Sequence, residues 1–421
     1  MIDLRRLGDD AEYRAGAVAK GTSPATIDEL LAAEAQRRDL QHQTEVGRSR
    51  LNSASKAIGR ADPADRHRKV ADAQQLKADL SALEARLQQA SAEVDDLALG
   101  LPNPAEPGVP VGGPEDYRVL DEVGGRPEAP PLDHAELGER LGFVDSDRAV
   151  RISGSRFAFL LGPAVQLQFA LVQRALTRLV DAGFVPVVPP VLVREQMMVD
   201  AGFFPTDRNQ VYEIAGDDLY LVGTAEVPLA GLHRGEHLDV ASLPRRYVGY
   251  STCFRREAGT YGTDTHGIFR VHQFDKVEMF SYTEPDRSND ELEALRALQE
   301  ELVGGLRLPY RVIDVATGDL GAPAARKYDL EVWLPSEGRY REITSCSNYT
   351  DFSARRLGVR YRGARGSGLL HTLNGTACAV SRTLVFLFEH CQQPDGSFVV
   401  PEALRPWCGF SAVDPRGERV V

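Results

Sequence analysis

The sequence predicts an α+β protein in which a long N-terminal pair of helices precedes a globular domain of strands and helices. Residues 27–97 place apolar side chains at coiled-coil spacing, which predicts the helical pair. Beyond a segment dense in Pro and Gly, alternating stretches and amphipathic stretches predict strands mixed with helices. The length of 421 residues and the hydrophobic fraction of 43% allow two or three domains with a sizeable core.

Charge and cysteine content narrow the class of protein. The formal net charge of -12 argues against a general nucleic-acid binder, so any contact with nucleic acid needs a local basic patch. The five cysteines are scattered and form no C-x-x-C pair, so we expect neither a disulfide framework nor a zinc site. That usage fits a reducing cytoplasm. The first residues lack the apolar region of a signal peptide, and no apolar run predicts a membrane span.

The helical pair follows a short cap at residues 1–26. Its second helix, from about Val70 to Leu97, carries apolar residues at strict three-four spacing, the pattern of a coiled-coil seam. The first helix repeats this rhythm less regularly, because Thr44 and Gly47 occupy two of its positions. The stretch from Gly59 to Asp65 contains Gly, Asp and Pro, so the helices should fold back as an antiparallel pair. At 1.5 Å per residue the second helix would reach about 40 Å.

The far tip of this arm is basic. Between positions 48 and 69 seven basic residues stand against Asp62 and Asp65, which leaves a charge of +5. One hypothesis is a solubilising surface or a coiled coil for dimerisation, and the other is a probe for a phosphate backbone. Composition alone leaves both open. The basic residues are Arg48, Arg50, Lys56, Arg60, Arg66, Arg68 and Lys69.

A linker, Leu101 to Pro131, separates the arm from the globular domain because it is dense in Pro and Gly. The strand Phe184–Val193 contains three prolines that cannot donate to a ladder, so it should lie at a sheet edge or an interface. The other predicted elements are a strand or turn at Ser153–Leu161, a helix at Pro163–Ala182 capped by Gly183, strands at Tyr220–Pro228, Tyr310–Val315, Ala325–Trp333 and Tyr340–Asn348, a helix at Glu284–Leu306, and a strand then a helix over His371–Thr383.

A hairpin from Thr252 to Phe280 is the part of the domain richest in chemistry. Its first strand ends in Arg255, Arg256 and Glu257, and a polar loop from Ala258 to Gly267 leads to a return strand from Ile268 to Phe280. The return strand alternates, so Phe274 and Lys276 share one face. An Arg fork suits a phosphate, a Phe ring suits a base, and Glu278 suits an ammonium or hydroxyl. The alternative is a solvated hairpin whose charges form salt bridges.

These segments together resemble the class II aminoacyl-tRNA synthetases, and specifically the bacterial-type seryl-tRNA synthetases. Residues 184–193 are similar to motif 1, residues 252–280 to motif 2 and residues 371–383 to motif 3. Thr224, Ala225 and Glu226 match the family's serine-site triplet, and Glu342 to Ser345 match its metal and nucleotide segment. The family also carries a long antiparallel coiled coil that grips the variable arm of its tRNA. The resemblance covers essentially the whole chain, with an arm at 1–101 and a class II catalytic domain at 102–421.

The resemblance implies a class II antiparallel sheet flanked by helices, and a serine–tRNA ligase that uses ATP and Mg²⁺. Arg255 would bridge the serine carboxylate and the α-phosphate, Glu257 would accept from the adenine amino group, and Arg382 would stack on the adenine. These three are the expected catalytic residues. The expected serine site is Thr224, Ala225, Glu226, Arg255, Glu278, Asn374 and Thr376. The expected ATP site is Arg255, Arg256, Glu257, Val271, Phe274, Glu342, Ile343, Thr344, Ser345 and Arg382, with Glu342 and Ser345 as Mg²⁺ ligands.

The resemblance further implies a cytoplasmic homodimer that pairs through motif 1 and charges tRNA(Ser), and in this family also tRNA(Sec), through basic contacts at the arm tip. Ala377 and Ser381 stand where motif 3 usually has glycines, and Thr344 replaces a Ser; none of these departures removes a charged group. Two alternatives stay open. A synthetase-like ligase would load an amino acid onto a carrier protein, but such proteins lack the long arm. A non-catalytic paralogue would have no reason to keep these charges.

Overall fold

A computed structural model describes residues 1–259, 266–364 and 366–421. Most of the predicted loop Ala258–Gly267, namely residues 260–265, lies outside the described residues. The chain divides into two compact units, Met1–Pro104 and Ala105–Val421. Within the described part of the chain, no helix is long and apolar enough to cross a bilayer.

The N-terminal unit is helical, as predicted. The cap consists of helices α1 (Leu4–Asp9) and α2 (Ala11–Ala19), and the arm consists of α3 (Pro24–Gly59) and α4 (Pro63–Leu99). Asp10 and Ser23 cap α2 and α3 by accepting backbone N–H groups, and a proline opens each long helix at a position where no N–H is needed. At 1.5 Å per residue the 37 residues of α4 span about 55 Å.

The seam of the arm confirms the predicted heptad pattern. In α4, Leu80, Ala90 and Val94 are buried, while neighbouring positions on the other faces are exposed. The two irregular positions of α3 also have structural roles. The hydroxyl of Thr44 is buried and donates to the carbonyl of Leu40 at 2.8 Å. A Cβ atom on Gly47 would lie 3.3 Å from Leu80 Cδ1, so glycine lets the helices approach closely.

The second unit is an α+β domain, which confirms the predicted class. Its helices are α5 (His134–Arg140), α6 (Ser146–Ser153), α7 (Pro163–Asp181), α8 (Glu195–Ala201), α9 (Glu226–Gly231), α10 (Ser288–Gly304), α11 (Phe352–Leu357), α12 (Val380–Cys391) and α13 (Arg405–Cys408). Its strands are β1 (Arg118–Val123), β2 (Val144–Asp145), β3 (Phe159–Leu160), β4 (Val185–Val187), β5 (Leu192–Val193), β6 (Tyr212–Glu213), β7 (Tyr220–Leu221), β8 (His237–Asp239), β9 (Arg245–Phe254), β10 (Gln273–Thr283), β11 (Tyr310–Asp314), β12 (Arg326–Leu334), β13 (Arg339–Asn348), β14 (Arg360–Gly363), β15 (Gly366–Leu369), β16 (His371–Ala379), β17 (Phe398–Val399), β18 (Ala412–Val413) and β19 (Arg419–Val420).

In the described residues, eight strands form the central sheet in the order β1-β11-β12-β13-β16-β10-β9-β4. Every neighbouring pair is antiparallel except β4 and β9, which are parallel. One face of the sheet packs against apolar side chains of α7, α10 and α12, represented by Leu167, Leu295 and Leu384. The other face of the four strands β12, β13, β16 and β10 carries polar side chains, and the candidate site lies there.

One predicted linker and three predicted strands need correction. Residues 101–131, predicted as a linker, contain the edge strand β1. Its side chains are all exposed, so no apolar face marks it as a strand, and the surrounding Gly and Pro residues are typical of a linker. Residues 184–193 form β4 and β5 in different sheets, although β4 does lie at an edge as predicted. The strand at 220–228 ends at Leu221, so Glu226 instead begins helix α9. The return strand of the hairpin begins at Gln273 rather than Ile268.

Candidate active site

A cavity of about 350 Å³ opens on the polar face of the central sheet. Most of the predicted site residues line it. They are Thr224, Glu226, Arg255, Glu257, Val271, Phe274, Glu342, Ile343, Ser345, Asn374, Thr376 and Arg382. Four others do not line it. Ala225 and Thr344 are buried behind its wall, Glu278 is buried directly beneath the floor residues Lys276, Asn374 and Thr376, and the side chain of Arg256 is exposed to solvent.

Strand alternation and a β-bulge bring the floor of the cavity together. On β10, Phe274, Lys276 and Glu278 point to one face, as the sequence predicts, because side chains of a strand alternate. The register between β10 and β16 shifts after Val277, so that Glu278 lies opposite Thr376. The extra residue in β16 is Ala377, one of the two departures from the family pattern. The bulge therefore aims Thr376 at Glu278.

Glu278 is fully buried and is held by three neighbouring groups. Its Oε1 accepts from Asn374 Nδ2 at 3.2 Å, and its Oε2 accepts from the hydroxyl of Thr376 at 3.1 Å. The Nζ atom of Lys276 also lies 2.7 Å from Oε2. A carboxylate held by a cation and two neutral donors is well suited to receive a hydroxyl group of a small ligand.

Glu226 forms the second acidic wall of the floor. It begins helix α9, and its backbone N–H donates to the hydroxyl of Thr224 at 3.2 Å. Its Oε2 accepts from Asn374 Nδ2 at 2.8 Å, so one amide group joins Glu226 to Glu278. Burial and the charge of Glu278 raise the pKa of Glu226 to about 7, although Lys276, Tyr349 and Arg255 act to lower it. A cationic ligand group would favour the ionised form further.

Arg255 and its neighbours form the mouth of the cavity just beyond the end of β9. The Nε atom of Arg255 donates to the carbonyl of Gly223 at 3.1 Å, and the guanidinium lies 5.4 Å from the centre of the Phe274 ring. Glu257 adopts a left-handed φ of 48° and pairs with Arg270, with an N–O distance of 2.6 Å. With its Nε held in this way, Arg255 can present the outer nitrogens of its fork to a ligand anion in the cavity.

Strand β13 forms the opposite wall of the cavity. A bulge at Ile343 in the register with β12 lets both Glu342 and Ser345 reach the cavity. The carboxylate of Glu342 lies 3.4 Å from Arg382, and its side chain is 42% exposed. Burial opposes ionisation, but Arg382, Lys327 and Arg255 together lower the pKa of Glu342 to about 2. The group is therefore a carboxylate at any working pH. The guanidinium of Arg382 lies 5.1 Å from the ring of Phe269.

Several cavity residues were not predicted. Lys276 lies between two predicted positions of β10, and the period of two places it on their face. Lys327 of β12 lines the cavity, and its Nζ lies 3.0 Å from Oδ2 of the buried Asp329. Tyr349 and the loop 321–324 also line the cavity, and no local sequence pattern indicates them. In β12, the period-two alternation of Lys327, Asp329 and Glu331 does indicate that Lys327 and Asp329 lie on the same face.

The predicted tRNA contacts at the arm tip are almost all exposed. Arg50, Lys56, Arg60 and Arg66 are exposed, and Lys69 is half-buried. Arg48 pairs with Glu84 across the two helices at 2.8 Å, and Arg68 pairs with Asp65 at 3.1 Å. Such exposed ion pairs contribute at most about 1 kcal/mol, so they leave both arginines available to a stronger anion.

Two family models match the chain. Residues 1–105 match the seryl-tRNA synthetase N-terminal domain. Residues 210–391 match the tRNA synthetase class II core domain (G, H, P, S and T). The chain is also 49% identical to the serine–tRNA ligase of Acidothermus cellulolyticus, over 99% of this chain and 100% of the relative. It is 48% identical to serine–tRNA ligase 1 of Streptomyces avermitilis, over 97% and 98% of the two chains.

Solved structures agree with the sequence relatives. The seryl-tRNA synthetase of Pyrococcus horikoshii complexed with ATP superposes with a TM-score of 0.93 at 36% identity, covering 99% of this chain and 100% of that one. The cytoplasmic serine–tRNA ligase of Naegleria fowleri in complex with AMP gives a TM-score of 0.85 at 30% identity, covering 97% and 94%. A prolyl-tRNA synthetase of Giardia lamblia, at 13% identity and a TM-score of 0.56, shares the fold alone.

Proposed function

The chain belongs to the seryl-tRNA synthetase family of class II aminoacyl-tRNA synthetases, and on that premise we propose how its cavity carries out serine–tRNA ligation. The observation that carries the proposal is the buried acidic floor formed by Glu278, Thr376, Asn374 and Glu226. It offers paired acceptors and donors to a small polar amino acid, while cations stand at the mouth. In the proposed reaction serine and ATP form seryl-adenylate and pyrophosphate, and serine then passes to the 3′ end of tRNA.

Serine would bind with its side-chain hydroxyl at the floor. The carboxylate of Glu278 accepts from this hydroxyl, and Thr376 exchanges a hydrogen bond with it. Glu226 and Thr224 face the ammonium group, for which an ionised carboxylate is the complementary partner. Alanine would leave the place of the substrate hydroxyl beside Glu278 and Thr376 without a hydrogen-bonding group, so the pocket should reject alanine by about 10⁴-fold.

Activation of serine is proposed to depend on alignment and charge rather than on covalent catalysis. The carboxylate of serine must attack the α-phosphorus while both groups carry negative charge. The guanidinium of Arg255 would donate hydrogen bonds to both groups and offset their charge. Phe274 offers a ring face to the adenine, and Arg382 lies across the cavity from it. Glu257, held by Arg270, offers an acceptor to the adenine amino group, and Val271 offers backbone contacts.

The residues of β13 fit a Mg²⁺ ion that accompanies ATP. Glu342 is an ionised carboxylate exposed to the cavity, and Ser345 adds a hydroxyl on the same wall, so both supply the hard oxygen atoms that Mg²⁺ prefers. Among the described residues no group of three or more His, Cys, Asp or Glu side chains is arranged to hold a metal. ATP oxygens and water would therefore complete the shell. Bound there, Mg²⁺ would offset the negative charge of the phosphates.

Glu342→Gln is expected to lower serine-dependent pyrophosphate exchange by about 10²-fold, because Arg382 and Lys327 would lose the anion that they face. We also expect the Mg²⁺ concentration for half-maximal exchange to rise. The measurement is a Mg²⁺ titration of the exchange rate. Glu337→Gln, in the turn between β12 and β13, removes the same charge outside the cavity and is the matched control. An unaltered Mg²⁺ titration in Glu342→Gln would exclude Glu342 as a metal ligand.

The segment of motif 1 is proposed to form a homodimer interface. Val185 and Val188 of this segment are 53% and 84% exposed, and Phe169 on α7 is 56% exposed. Large apolar side chains with this much exposure favour burial against a second copy. We expect sedimentation to give about twice the chain mass of 46.1 kDa, and Val188→Arg to shift the protein towards the monomer. A wild-type chain that sediments as a monomer would contradict the interface.

The experiment that tests the function is charging of total bacterial tRNA with labelled serine, alanine and threonine. Charging with serine alone would support three assignments together: the catalytic cavity, the serine pocket and productive binding of tRNA. Intact pyrophosphate exchange without charging would direct attention to carrier-protein loading. Charging of a tRNA(Sec) transcript tests the second substrate that the family implies. We place the reaction in the cytoplasm, where the five unpaired cysteines would stay reduced, and cell fractionation checks this.

A further inference from the structure

Lys276 is a buried cation to which the proposed reaction gives no role. Its side chain is 7% exposed, it lines the cavity, and its Nζ lies 2.7 Å from Oε2 of the fully buried Glu278. Moving an ammonium group from water into the protein interior costs free energy unless a charged partner compensates it. A purely structural pair could be replaced by apolar residues with little loss, so a buried pair at the floor of a substrate cavity needs another explanation.

The surroundings of Lys276 supply that explanation. The side-chain amide of Asn374 donates from one nitrogen to both Glu226 and Glu278, at 2.8 and 3.2 Å, and so holds two buried carboxylates close together. Two carboxylates in one site repel each other, and such a pair tends to share a proton. The charge of Glu278 indeed helps to raise the pKa of Glu226, while Lys276 acts to lower it.

The other elements packed around this pair present mostly neutral groups to it. On β9, Ser251 stands opposite Lys276, and Cys253 is a neutral thiol whose pKa is raised by burial. On β16, Thr376 donates to Glu278. Tyr349 bonds to Glu226, and burial raises the pKa of its hydroxyl well above the ordinary value, so it stays neutral. Arg255 acts on Glu226 from the mouth. Among the residues that the structure describes, Lys276 is the cation that directly contacts this floor.

We propose that Lys276 is a positioning residue that sets the charge of the serine pocket, by keeping Glu226 and Glu278 ionised together so that one can accept the ammonium group of the amino acid and the other its hydroxyl. This inference rests on the proposed serine pocket. A proton on Glu226 would remove the anion that faces the ammonium. A proton on Glu278 would turn an acceptor for the substrate hydroxyl into a donor. Either event weakens serine binding and leaves the ATP wall of β13 unaffected.

The test is the pH dependence of serine binding in variants of Lys276. Lys276 acts to lower the pKa of Glu226, so removing this cation raises that pKa and leaves a larger fraction of the Glu226 carboxyl protonated at a given pH. In Lys276→Met we therefore expect the fall of kcat/KM for serine on acidification to begin about one pH unit higher than in the wild type. The KM for ATP should change less than about twofold, because Phe274, Glu342 and Arg382 are untouched. Serine-dependent pyrophosphate exchange between about pH 6 and 8.5 measures both constants.

Two further variants separate charge from packing. Lys276→Arg keeps the cation and should retain the wild-type pH profile, even if its maximal rate falls. Lys276→Gln keeps a hydrogen-bond donor without the charge, so its acid limb should shift to higher pH as in Lys276→Met. If the Met variant does not fold, the pH profile of Lys276→Gln provides the test. A wild-type acid limb in the soluble uncharged variants, or an equal shift in Lys276→Arg, would overturn the proposal. If the wild type lacks serine-dependent exchange altogether, the proposed function itself fails, which is a different result.

Discussion

Glu278→Gln is expected to lower kcat/KM for serine in pyrophosphate exchange by at least about 10³-fold while leaving the fold intact. The substitution keeps the shape of a side chain that is fully buried. It removes the anion that pairs with Lys276 at 2.7 Å, and it presents an amide where the substrate hydroxyl needs a carboxylate. A substrate hydroxyl that loses its charged acceptor in a buried site lowers kcat/KM by about 10³-fold or more. The measurement is exchange at saturating ATP with serine varied.

The control for this experiment is a buried glutamate outside the cavity. Glu291 is 5% exposed and pairs with Arg246 and Ser281, so Glu291→Gln removes a comparable charge without touching the floor. It should lose stability but keep the KM for serine. Discrimination gives a second readout, because Glu278→Gln should also bring the rates for serine and alanine closer together. If Glu278→Gln retains normal exchange and normal rejection of alanine, the serine pocket has been assigned to the wrong residues.

The hairpin shows how far local pattern can predict such a site. Period-two alternation in β10 was sufficient to predict that Phe274 and Lys276 share a face, because the side-chain direction in a strand depends only on position. The helical arm was equally predictable, since its seam repeats regularly in the sequence. These predictions do not require knowing which strands or helices pack against each other. They depend on the residue and its near neighbours along the chain.

The remaining geometry depends on register between distant strands. Thr376 faces Glu278 because β16 has one extra residue at Ala377, and Glu342 and Ser345 both reach the cavity because β13 bulges at Ile343. Neither bulge has a local signal in the sequence. Glu226 was predicted on a strand, yet it begins a helix, because tertiary packing of Val227 and Leu229 overrides the β-propensity of Tyr220 to Val222. The resemblance to a known family predicted residues at these positions, but their contacts required the structure.

Neutralising the arm tip is expected to impair tRNA charging severely while leaving adenylate formation unchanged. Replacing Arg50, Lys56, Arg60 and Arg66 with glutamine removes four exposed cations that the structure gives no ion pair within the described residues. None of them contributes to the buried seam formed by Leu80, Ala90 and Val94, so the helices should stay paired. Loss of about four phosphate contacts should lower kcat/KM for tRNA by about 10²-fold at moderate salt. The slope of log affinity against log salt should flatten by about 3 to 4.

A smaller matched pair locates the effect along the arm. Arg60→Gln with Arg66→Gln flanks the turn, whereas Lys77→Gln with Arg86→Gln removes the same charge from exposed positions further down α4. If the tip itself grips a phosphate backbone, the first pair should weaken charging more than the second, with serine-dependent pyrophosphate exchange equal in both. Equal losses would instead indicate that charge acts along the whole arm. Normal charging by the fourfold variant would leave the basic tip as a solubilising surface, because phosphate recognition cannot survive the loss of its cations.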